Sequence, residues 1–309
     1  MNINQIIDVL YDGALFFNKN RSKSEIEYGK IRANKINNLL ERKVFSEKFI
    51  NALESSKPYS ELESCYQFIT NTIIERNPTL KSLCNEVFVI VTNGINFRTD
   101  LIDNIPFIVL EFPLIKYINL LNSNVLCSKN FNSLKEDSIY VVDSFLEKYK
   151  FREDHNVFET IYSLDSFDNI KYQQLMLIEQ IQTVFMIGHE IGHITNPNLT
   201  GIDSELTADL VGLDSLKAYV LENSKLNYYI IISIMLLFSY LTLLDVVQKD
   251  KKQKKIATRE YWLDRYDAIL NNLESFKLTE KENILITGYD KICNVIDDII
   301  KENIDTCNY

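Results

Sequence analysis

Glycine and proline are scarce in this chain: 8 and 5 among 309 residues. That argues against a turn-rich β fold and for long, uninterrupted helices. Cysteine is odd in number and scattered (Cys65, Cys84, Cys127, Cys293 and Cys307), with no C-x-x-C pair. Zinc ribbons and thioredoxin-like motifs are thereby excluded, and the set reads as reduced thiols of a cytoplasmic protein. Basic charge is also in short supply: the net charge is −10 and the pI about 5.0, so no nucleic-acid partner is expected. Histidine is scarcest of the potential metal ligands, with three residues, His155, His189 and His193, which rules out a His-rich cluster.

What remains is ordinary globular composition, 46% apolar and 25% charged. Residues 2–17 and 23–56 have helical periodicity. Asp8 and Asp12 interrupt the apolar N-terminal stretch, which therefore reads as a helix and not a signal peptide. A helix over 60–76 stops before Asn77-Pro78. The β-branched run Val87–Thr92, the turn pair Asn93-Gly94, the alternation at 95–97 and the apolar run 105–110 predict a small antiparallel sheet. Pro113 then opens a helix over 114–122. Residues 123–170 are polar and asparagine-rich, with a helix near 133–149, and read as an insertion on the surface.

Helices are expected over 171–195, 204–222, 226–248, 258–276 and 279–303. The stretch 228–244 carries no charge and is followed by the basic run Lys249–Lys255. It reads as a helix buried on all sides; the alternative is membrane association. The fold class expected is α+β and predominantly α-helical. It comprises a helical region over 1–85 and a second region over 86–309 that holds the 123–170 insertion, packed as one unit.

One pentapeptide carries chemistry. His189-Glu190-Ile191-Gly192-His193 puts two imidazoles on one helix face, a turn apart, where both can bind one Zn²⁺. Glu190 lies about 100° round from His189, beside such a metal, where it can act as general base. Gly188 and Gly192 weaken the helix, so their presence suggests close approach of a neighbour. A catalytic zinc needs a third protein ligand. Asn196 and Leu199 stand where a metzincin would have Gly and His, and no histidine follows His193. The third ligand is then a carboxylate, or His155 returning from the insertion.

Asp203-Ser204 reads as an N-cap, with Glu205 in the first turn of the helix it starts. The short connection 196–203 makes that helix antiparallel to the motif helix, so Glu205 faces His193 and Asp209 runs back beside His189. Glu205 as ligand and Asp209 as hydrogen-bond acceptor for a ligand histidine is the natural assignment; the swapped one is the alternative.

His189-Glu190-x-x-His193 followed by Glu205-x-x-Ala208-Asp209 resembles the H-E-x-x-H…E-x-x-A-D signature of gluzincin-type zinc metallopeptidases. Similar bacterial groups are the Lit-type phage-exclusion, ImmA/IrrE-like and HtpX-like peptidases. The resemblance covers about 87–122 and 171–222. It implies a zincin-like core and a β-hairpin with an edge strand, at 87–111, lining a substrate cleft. It also implies a specific intracellular protein or peptide substrate, in phage defence or stress regulation. The His-Pro element of the HtpX-like branch is missing near Arg259 and Arg265. Gluzincins stabilise the oxyanion with a Tyr, His or Arg, for which Tyr228, Tyr261, Arg259 and Arg265 are candidates. A reading from another class is a regulatory or toxin-like binding module with a structural or vestigial zinc site.

Overall fold

The computed structural model describes residues 60–83, 87–92, 97–102, 105–128, 130–151, 169–220, 226–248, 259–273 and 278–306. The helices expected over 2–17 and 23–56, the Asn93-Gly94 turn and His155 lie outside the described residues. Along the chain come α1 (Ser60–Arg76), a 3₁₀ turn (Pro78–Leu83), β1 (Phe88–Thr92), β2 (Arg98–Ile102) and β3 (Ile105–Glu111). Helices α2 (Phe112–Cys127), α3 (Phe131–Phe151), α4 (Asn169–Thr195), α5 (Gly201–Val220), α6 (Asn227–Gln248), α7 (Arg259–Leu273) and α8 (Glu280–Thr306) follow. The protein is mostly helical with one small sheet.

The sheet is mixed, in the order β1-β3-β2, and this corrects the expected antiparallel arrangement. β3 runs parallel to β1, with Phe88 opposite Phe107 and Thr92 opposite Glu111. It runs antiparallel to β2, with Ile102 opposite Ile105 and Arg98 opposite Val109. The reason lies in β3 itself. Phe107, Ile108, Val109 and Leu110 are all buried, so both faces of this strand need cover and it takes the centre. Consequently 105–111 is not an edge strand; β2 is the edge that meets α4.

α6 is the hub. Ile232, Ile234, Leu236, Leu237, Tyr240 and Leu243 are buried on successive faces, and α4, α5-flanking α7, α8, α2 and α3 pack around it. Asn227–Asp245 is long and apolar enough to cross a membrane, but 72% of that window is buried among the other helices. Gln182 of α4 locks the centre: it accepts from Asn122 of α2 (2.7 Å) and donates to the Ser233 carbonyl of α6 (3.1 Å). A buried amide with both ends satisfied fixes the register of three helices.

Two boundaries differ from expectation. α2 runs on to Cys127, and α3 buries Leu134, Ser138 and Val141, spaced i, i+4, i+7, against its neighbours. The described part of the 123–170 stretch therefore packs on the helical body through these residues. α1 packs on α4, α5 and β1, which joins the described end of the N-terminal region to the same body.

Candidate metal centre

The centre is built where α4 and α5 cross. They pack so closely that a Cβ on Gly192 would lie 2.5 Å from the Ala208 Cα. A Cβ on Gly188 would lie 2.5 Å from the Ser215 Cβ. The glycines thus permit the approach that brings side chains of both helices to one point. Asn196 ends α4, its backbone N–H and its side-chain amide both donating to the Gly192 carbonyl (3.1 Å each). α5 begins at Gly201, whose φ of +64° suits glycine. The helix therefore starts ahead of the expected Asp203-Ser204 cap, and Ser204 is released for another contact.

That point is occupied by His189, His193 and Glu205, whose candidate ligand atoms all lie within 4.8 Å of one another, close enough to bind a metal ion. The two Nε2 atoms are 3.0 Å apart. Glu205 Oε2 is 3.5 Å from His189 Nε2, and Oε1 is 3.7 Å from His193 Nε2. Each outer ring nitrogen is engaged. His189 Nδ1 donates to Asp209 Oδ1 at 2.8 Å, and His193 Nδ1 lies 3.1 Å from Ser204 Oγ. Asp209, 1% exposed, can only accept, which leaves the lone pair of neutral His189 on Nε2. Facing nitrogens beside a carboxylate require something positive between them. In the metal-free chain a proton serves: burial lowers His189, but its bonds to Asp209 and Glu205 outweigh burial and push it up to about 9. A divalent cation suits the same donors more fully. Glu190, Glu205 and Asp209 bring three carboxyl groups to this point, with Arg265 against Asp209 and Glu205, and such an ion adds positive charge among them.

Glu190 stands beside the donors at 3% exposure. Burial raises its pKa; the His189 charge and a hydrogen bond from Thr99 oppose that rise. Thr99 Oγ1 of β2 lies 2.8 Å from Glu190 Oε2 and 3.0 Å from the Glu190 carbonyl oxygen. Burial lowers His193, as does the neighbouring His189 charge. Glu205 is raised by burial but lowered further by His189 and Arg265, ending at about 2, so it is a carboxylate throughout the neutral range.

A cleft of about 420 Å³ opens over the centre. Phe97 and the start of β2, Arg98 and Thr99, supply one wall; Leu237, Phe238, Leu241 and Leu244 of α6 supply the other. Trp262 closes it, its Nε1 donating to Asp245 at 2.7 Å.

The structure brings together all five residues of the sequence motif, with Glu205 facing both inner nitrogens and Asp209 behind His189. This favours the first assignment over its swap. The oxyanion candidates fare differently. Tyr228 lies against Tyr229, ring centroids 4.0 Å apart and planes tilted by 43°, near Tyr289 and Glu282, and is not among the residues lining the cleft. The Arg259 side chain lies outside the described residues. The Tyr261 hydroxyl is 3.4 Å from Arg265 Nη1, and burial pushes it up to about 12. Arg265 lines the cleft, with its guanidinium engaged by Asp209 and Glu205. Thr99 was invisible in the sequence, since nothing local says that β2 lies against α4. Ser204 had a signal, its position next to Glu205, but the cap reading took it.

Set against known proteins, the chain matches no protein-family model, no curated protein and no solved structure.

Proposed function

We propose that this chain is a zinc-dependent endopeptidase of the gluzincin type, with a zincin-like core, acting in the cytoplasm on a specific protein target in phage defence or stress regulation. The observation that carries this reading is the convergence of His189, His193 and Glu205 beside a buried Glu190, under a cleft walled in part by β2. Two imidazoles and one carboxylate are a donor set that suits zinc. Among the described residues the donor group has these three members, which favours a catalytic site over one closed by four protein ligands. Zinc held there would supply Lewis acidity, acidifying water and polarising a peptide carbonyl.

The chain's own residues do the rest. Glu190, raised by burial, takes the proton of the attacking water and hands it to the departing amine. Thr99 holds Glu190 Oε2, which leaves Oε1 to carry the proton. Asp209 and Ser204 fix both imidazoles with Nε2 turned inward. An extended peptide would pair with β2, an outer strand of the sheet among the described residues, and so lie across the cleft.

Elemental analysis of the purified full chain tests this. One zinc per chain is expected in the wild type, retained in Glu190→Gln and lost in His193→Ala. Comparing new protein termini in cells expressing wild type and Glu190→Gln should reveal cleavage only with the wild type. A wild type without metal refutes the proposal.

A further inference from the structure

Arg265 is 5% exposed and belongs to α7, far along the chain from the metal-binding motif. Its guanidinium lies 4.7 Å from the Trp262 ring centroid and 5.5 Å from those of Phe238 and Tyr261. From among these rings it donates through Nε to Asp209 Oδ2 and through Nη2 to Asp209 Oδ1, both at 2.7 Å. Nη1 reaches Glu205 Oε2 at 3.1 Å. One planar group therefore spans the carboxylate that orients His189 and the carboxylate proposed as ligand. Only a fork of fixed geometry can do both; the ammonium of lysine is a point charge.

We infer that Arg265 is a positioning residue that sets the geometry and affinity of the metal centre, and that docking of α7 thereby completes the site. The inference rests on the proposed His189, His193 and Glu205 centre and adds a residue that touches no metal. Its physical basis is orientation. Asp209 without the fork turns about its own side chain, and the Nδ1 bond that holds His189 loosens. Glu205 without Nη1 loses the charge that aligns Oε2 with His189. Outer partners of this kind are worth roughly 10–100-fold in metal affinity.

The test uses the full chain as wild type, Arg265→Lys and Arg265→Met. Affinity is read by competition with a chromophoric chelator, and geometry by the visible spectrum of the Co²⁺-loaded protein. Far-UV circular dichroism of the metal-free forms reports the fold. The expected result is a folded Arg265→Lys whose affinity falls by roughly 10-fold or more and whose Co²⁺ bands shift, with Arg265→Met weaker still. A purely structural role would move neither spectrum nor affinity in a folded Arg265→Lys. Wild-type affinity and bands in that variant overturn the inference, as does a chain that folds with neither replacement, since Arg265 then serves the fold alone. A wild type that binds no metal fails the proposed function instead, which keeps the two outcomes apart.

Discussion

Gly192→Ala sets two effects of known size against each other. Replacing glycine by alanine within a helix stabilises it by roughly 0.8–1 kcal/mol. Here the new Cβ would lie 2.5 Å from the Ala208 Cα and 3.1 Å from its Cβ, both belonging to a packed helix and unable to rotate away. Overpacking of this kind costs about 1–3 kcal/mol, and contact with backbone belongs at the upper end. The clash therefore wins, with a net loss of about 1–2 kcal/mol, or a Tm lower by roughly 1.5–3 °C for a chain of this size. Relief requires α5 to move off α4, and that motion separates Glu205 and Asp209 from the histidines. Metal affinity should fall along with Tm. Gly288→Ala is the internal control: it sits in α8 with nothing within 4 Å of its added Cβ, so the helix gain stands alone and Tm should rise. Thermal unfolding of both variants, with and without metal, reads the two signs. A Gly192→Ala chain as stable as Gly288→Ala, binding metal as the wild type does, would refute the account of the crossing.

Thr99→Val removes the hydrogen bond that lowers Glu190, so the acid limb of the kcat/KM profile should move to higher pH while metal content stays unchanged; an unmoved limb counts against Glu190 as the base. The metal-free chain should have a pH-dependent stability with two arms. Glu205 falls from 4.5 to about 2 on folding, so its contribution is present above pH 4.5 and is lost as pH drops through 2. His189 rises from 6.5 to about 9, so its contribution is present below pH 6.5 and is lost as pH climbs through 9. The difference in denaturant midpoint between the wild type and variants lacking these two groups, measured from pH 2 to pH 10, should thus be largest at about 4.5–6.5, and metal loading should erase its alkaline arm.

The grouping of His189, His193, Glu205 and Asp209 is legible in the sequence because it is local. The helical period aligns His189 with His193, and the short connection returns Glu205 and Asp209 to the same place. Both assignments needed only spacing and the antiparallel pairing of neighbouring helices. Thr99 and the role of Arg265 were not legible, since each reaches the centre from an element distant in sequence. The strand order was misread for another reason. Asn93-Gly94 is a strong local turn signal, but the unbroken apolar run of β3 demanded cover on both faces and took the central place. In α3 the asparagine-rich texture hid an apolar stripe that packs on α2, α6 and α8.

The α4–α5 crossing also bears on the order of folding. Every proposed ligand, and the acceptor behind His189, falls within residues 189–209, and five residues (196–200) separate the two helices. Closing so short a loop costs little chain entropy, and low-contact-order pairs form early. A nascent chain carries the whole donor set before α6, α7 and α8 have left the ribosome. The proposed metal capture and the docking of Arg265 are then separable in time.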